Sequence, residues 1–64
     1  MNMIIWNNKT IYSSEDLNAT IELAKSLAMD NKRNEYFIVT DESREWKEEF
    51  WKGADGKLNS VAIG

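Results

Sequence analysis

The chain has 64 residues, eight Lys or Arg against eleven Asp or Glu, a formal net charge of −3, and no cysteine, histidine or proline. This excludes disulfides and thiolate metal sites, and it removes imidazole, the commonest metal ligand and general base. One domain spanning 1–64 is the most such a length supports, and it buries only about 60% of its unfolded surface, so stability must come from a well-packed aromatic core or from self-association.

Met3 to Trp6 is apolar, Asn7-Asn8 is a turn pair, and Lys9 to Tyr12 resumes the strand-like composition. Asparagine tolerates positive φ, which tight hairpin turns require, so the segment reads as a short N-terminal hairpin. A helix follows over about Ser14 to Asp30. Ser13 is its expected N-cap, and Glu15 and Asp16 complement the positive end of the dipole. Leu17, Ile21, Ala24, Leu27 and Ala28 recur at helical spacing and form the expected buried stripe. Asp30 to Asn34 is uniformly polar and ends the pattern.

Glu35 to Asp41 is an uninterrupted run of aromatic and β-branched residues bounded by acids. Both faces of such a strand are expected to be at least partly covered, and it is expected at the centre of the sheet. Asp41 to Lys52 packs Trp46, Phe50 and Trp51 among five acids and three bases. Arg44 to Lys52 fits a helix, with Trp46, Phe50 and Ala54 on one side, and it also fits a strand. The tie-breaker is Asp55-Gly56, a strong two-residue hairpin signal, followed by the strand-like Leu58 to Ile63. A turn closed there pairs Phe50 with Val61 and Glu48 with Ile63. Trp46, Phe50, Val61 and Ile63 then share one face, with Trp51 on the other. The strand reading is preferred, and a second short helix at 43–52 is the alternative. The fold class is therefore α+β: an antiparallel sheet of an N-terminal hairpin, a central strand and a C-terminal hairpin, with one amphipathic helix on one face, in the order ββαβββ.

Catalytic patterns are weak. Five serines lack a histidine or cysteine partner, and nucleophilic catalysis needs an activating base. The carboxylates of Asp41, Glu42, Glu45, Glu48, Glu49 and Asp55 match no ordered calcium loop and read as a solvated charged face. Gly53-Ala54-Asp55-Gly56 lacks the Lys-Ser/Thr and the helix that follow a phosphate-binding loop, so it is a turn. Neither catalytic residue, metal nor cofactor is expected, and the chain reads as a non-enzyme.

Binding is the remaining class. A net negative charge opposes a non-specific grip on nucleic acid and a polybasic membrane role. No apolar run approaches the roughly 20 residues of a membrane span, and the N-terminus lacks signal-peptide features, so a cytoplasmic location is expected. Tryptophan dominates interface hot spots, and an acidic rim steers a domain toward a basic surface. Phe50 and Trp46 are expected in the core. Trp51 is expected exposed, and with Glu42, Glu45, Lys47 and Glu49 it forms the candidate partner-binding set. The expected function is that of a small acidic modulator or inhibitor of a larger cytoplasmic protein with a basic surface. In size and acidity the chain looks like the accessory proteins of bacteriophages and mobile elements, including host-takeover and anti-defence types. The alternatives are a single-stranded nucleic-acid binder that stacks bases on Trp46-Lys47 and Trp51-Lys52, and a self-assembling protein that forms a homodimer.

Overall fold

The computed structural model describes residues 1–64. Strands β1 (Asn2–Trp6) and β2 (Lys9–Ser14) precede helix α1 (Leu17–Asp30), and β3 (Phe37–Asp41), β4 (Lys47–Lys52) and β5 (Leu58–Ile63) follow it. All five strands form one antiparallel sheet in the order β2-β1-β3-β4-β5. This is the α+β, ββαβββ architecture read from the sequence, and β3 lies at its centre. Arg44 to Lys52 holds a strand and no helix.

Asn7 and Asn8 adopt φ of 53° and 64°. Two successive left-handed residues make the tight turn whose twist matches the strands it joins, so Trp6 pairs directly with Lys9. Further along, Ile4 pairs with Tyr12 but Ile5 pairs with Thr10. Ile11 is the extra residue of a β-bulge on the β2 edge.

The helix starts later than Ser14. Asp16 is the N-cap, and its Oδ1 accepts the Ala19 N–H at 3.1 Å. Ser13 and Ser14 instead remain in β2, paired with Met3 and Asn2. Both the carboxylate and the ladder favour the later start, since a charged cap oxygen meets the positive end of the dipole while the serine backbone groups are already bonded.

The helix buries Thr20, Ala24 and Ala28, spaced four residues apart, against the sheet. These small side chains let it settle close over Ile4, Phe37, Val39 and Phe50, which form the core with the two alanines. The Thr20 hydroxyl donates to the Asp16 carbonyl at 2.8 Å, which satisfies the one polar group on that stripe. Ile21, Leu23 and Leu27 flank the core. Leu17, expected in the stripe, is 41% exposed. As the first helical residue after the late N-cap, it lies before the first turn that reaches the sheet.

The β4–β5 connection corrects the expected register. The Gly53 N–H donates to the Lys57 carbonyl at 2.8 Å and the Gly56 N–H to the Gly53 carbonyl at 2.9 Å. Gly56, at φ +80°, supplies the left-handed residue of a three-residue loop. Phe50 therefore pairs with Ser60 and Glu48 with Ala62, one position away from the two-residue turn. A one-residue slip reverses every side chain. Val61 and Ile63 accordingly face away from Phe50 and are 44% and 50% exposed. Hydrophobicity did not hold the expected register because α1 lies over the middle of the sheet. Every residue of β5 is exposed in any case, so turn chemistry decided the outcome. The Asn59 amide donates to the Lys57 carbonyl at 3.1 Å and lies over Gly53 where a Cβ would stand. A larger residue at 53 would displace that amide.

Candidate functional site

One face of the sheet is covered by α1 and the other by no helix or strand, although Thr40, on that side by alternation and bonded to the β3–β4 connection, is fully buried. Strand alternation assigns the residues. In β4, Glu48 and Phe50 face the helix, and Lys47, Glu49 and Trp51 face outward. In β3, Phe37 and Val39 face the helix, and Ile38 faces outward beside Glu49. In β1, Ile4 is buried under the helix, which turns Met3 and Ile5 outward. Val61 and Ile63 of β5 extend the same outer surface alongside Glu49 and Lys47.

The most distinctive feature of this open face is an aromatic pair. Tyr36, just before β3, lies beside Trp51 of β4, with ring centroids 5.1 Å apart and planes inclined by 33°. Tyr36 is 52% exposed, and Trp51 is half-buried. The pair forms because Phe37 and Phe50 are registered partners on the helix side, so their chain neighbours meet on the other side. Such a contact is worth about 0.5–1.5 kcal/mol. It holds the indole in one orientation while leaving ring surface open.

An open cleft of about 600 Å³ adjoins Tyr36, between the β1–β2 turn and the α1–β3 connection. Ile5 and Ile38 form part of its wall, and Arg33 and Asn34 lie on the loop side. The Trp6 indole N–H donates to Glu35 there, pinning that loop to β1. A smaller hollow is lined by Ile5, Ile38, Thr10, Arg44 and Lys47. Arg44 stands at φ 56°, unlike the other left-handed non-glycine residues, which are all asparagine. A long side chain in that region is strained, by about 1–2 kcal/mol relative to a right-handed residue.

The β3–β4 connection is a built turn. The Trp46 indole donates to Asp41 Oδ2 at 2.8 Å, the Ser43 N–H to Asp41 Oδ1 at 3.0 Å, and the Thr40 hydroxyl to the Trp46 carbonyl at 2.6 Å. Hydrogen bonds from the Ser43 hydroxyl, and then from the Trp46 indole, hold the Asp41 carboxyl below its ordinary range. Trp46 packs against the core, as expected, with its polar end spent on Asp41. Phe50 is fully in the core at 1% exposure.

Three of the five residues singled out from the sequence, Lys47, Glu49 and Trp51, stand together on the open face. Glu42 and Glu45 lie on the β3–β4 connection, off the sheet surface. Glu42 Oε1 accepts the Met1 ammonium at 2.7 Å, a hydrogen bond that raises the ammonium pKa. The Glu45 N–H donates to the Ser43 hydroxyl at 3.2 Å. The two ion pairs of the molecule are Met1–Glu42 and Glu22–Lys25. Arg44, Lys47 and Glu49 therefore carry charges not paired within the chain, and the open face itself is of mixed sign. Tyr36, Ile38 and Arg44 were missed from the sequence. The strand alternation around Phe37 was the signal for the first two, while nothing in the composition marks the third.

No group of three or more Asp or Glu side chains converges to hold a metal ion, and no helix is long and apolar enough to cross a membrane. Comparison with protein-family models, with curated proteins and with solved structures gives no significant match.

Proposed function

We propose that this protein is a non-enzymatic interaction module that docks on a larger protein through the open face of its sheet, as a modulator or inhibitor. The observation that carries this reading is the Tyr36–Trp51 pair on an otherwise uncovered face. Large aromatic side chains held in place before binding lose little entropy when they are buried by a partner, which is why such residues dominate interface energetics. Ile38 and Val61 add apolar area on either side of the neighbouring Glu49, with Ile63 further along the face opposite Lys47, and an open cleft adjoins Tyr36. The overall charge of −3, with Glu49 on the face, favours encounter with a partner of basic surface. A cytoplasmic host-takeover or anti-defence role in a bacteriophage or mobile element is the setting proposed for it.

The test is parallel affinity capture with the wild-type chain, Trp51→Ala and Glu22→Ala. The reading expects Trp51→Ala to lose a partner that the wild type and the helix variant both retain. Equal recovery by all three removes the open face as the docking surface.

A second reading rests on one observation: the two aromatics, one just before β3 and one in β4, meet on an open sheet face that also carries Lys47, with Arg44 beside it. Bases of single strands stack on such platforms. Fluorescence polarisation with single-stranded oligonucleotides separates the readings. Protein docking expects no shift at low salt, whereas nucleic-acid docking expects a shift that falls steeply as salt rises.

A further inference from the structure

The two edges of the sheet are not protected alike. β2 carries a bulge and Lys9, devices that discourage pairing with another chain. β5 has neither. Its sequence Leu-Asn-Ser-Val-Ala-Ile contains no charge, its pairing with β4 is regular over six residues, and all six are exposed.

The direction of its free backbone groups follows from the loop. The Lys57 carbonyl accepts from Gly53, so Lys57 points toward β4. In an antiparallel ladder this alternates, which directs Asn59, Val61 and Ile63 toward β4 and turns the N–H and C=O groups of Leu58, Ser60 and Ala62 to the outside. Only one two-fold antiparallel register engages all three outward residues of both copies. It is centred on Ser60, with Ser60 opposite its own copy and Leu58 opposite Ala62 of the second copy. It makes about six backbone hydrogen bonds. Serine, alanine and leucine meet at the junction, with no like-charge pair across it.

We propose that β5 is a self-association edge and that two copies of this chain join through it into one continuous ten-stranded antiparallel sheet centred on Ser60. The inference does not depend on what the open face binds. Joined this way, both open faces lie on the same side. Three strand spacings and a two-residue offset put the two Trp51 side chains roughly 16 Å apart. The dimer therefore presents two aromatic sites to one partner surface, and each strengthens the other by raising its effective concentration. The junction is short of a standard-size interface, so the association is weak and concentration-dependent, with a Kd on the order of 10–1000 µM.

The test combines mass and exchange. Sedimentation equilibrium of the wild-type chain up to about 1 mM, around the upper end of that range, is expected to rise from monomer toward dimer mass. Over the same range, amide exchange at Leu58, Ser60 and Ala62 is expected to slow, while that at Asn59 and Val61 is slow throughout. Ser60→Lys and Ser60→Glu, at an exposed position whose N–H is not used within the chain, are each expected to remain folded and monomeric. Mixed in equal amounts, they are expected to recover dimer mass. Ser60→Pro, which removes only an outward N–H, is expected to be monomeric as well. A strict monomer at the highest concentration overturns the proposal. So does a dimer that survives both Ser60→Lys and Ser60→Pro, or one whose exchange slows at Trp51 and Tyr36 in place of the β5 amides.

Discussion

Phe50 and Trp51 are neighbours in the chain that stand on opposite faces of β4, so truncating each in turn measures the two faces separately. Phe50 is 1% exposed and sits among Phe37, Val39 and the helix alanines. Phe50→Ala removes a ring from a packed site that only partly collapses, at a cost of about 3–5 kcal/mol. A 64-residue domain has roughly 3–10 kcal/mol of stability in total, so this variant is expected to retain little or none. Trp51→Ala loses the contact with Tyr36 and the covered part of a half-buried ring, about 1–2 kcal/mol. At roughly 4–8 °C per kcal/mol for a chain of this size, it should melt within about 15 °C of the wild type, while Phe50→Ala lacks a cooperative transition or melts far lower. Circular dichroism melts and urea titrations of the three proteins read this directly. Equal losses, or a larger loss for Trp51→Ala, refute the assignment of Trp51 to an open face.

Further outcomes follow from the same geometry. Asp16→Ala removes the N-cap acceptor of the Ala19 N–H and should cost about 0.5–2 kcal/mol by urea titration, while Ser13→Ala, at the position expected from the sequence, should cost less. Asp41 is held below its ordinary pKa by Ser43 and Trp46, so its contribution is present above the unfolded-state pKa and is lost as pH falls through the folded one. Trp46→Phe removes one donor, and an NMR titration of the Asp41 carboxyl should move upward in that variant. Arg44→Gly relieves the left-handed strain and should raise stability by about 0.5–1 kcal/mol despite the flexibility of glycine in the unfolded chain. If Arg44 serves docking, the same variant binds more weakly, and the two effects are measured side by side by thermal melt and capture yield.

Much of the fold was legible because local and long-range signals agreed. Asn7-Asn8 fixes a hairpin through backbone preference alone, and the unbroken apolar run of β3 marks the central strand, although only its helix side is covered by another element. The helix boundary was misplaced because four successive acceptors, Ser13, Ser14, Glu15 and Asp16, compete for the cap, and the choice depends on how far β2 stays paired with β1. The β5 register was misread for a related reason. Asp55-Gly56 is the stronger two-residue signal, but Gly53 and Asn59 cooperate across the strand pair, and that cooperation is visible only once the chain has turned. Of the site, Trp51 was legible from the alternation of β4. The Tyr36 contact was not, because it needs the β3–β4 register, and Arg44 was not, because its conformation leaves no mark on composition.

On the reading proposed above, the open sheet face is the working surface. Hydroxyl-radical footprinting of the protein, free and with its captured partner, tests it most directly, because reporters lie on both sides of the molecule. Trp51, Tyr36 and Met3 lie on the open face, and Met29, 38% exposed, lies on the helix. Protection of the first three in the complex and unchanged oxidation of Met29 are expected. Protection of Met29 with Trp51 and Tyr36 still reactive contradicts that reading.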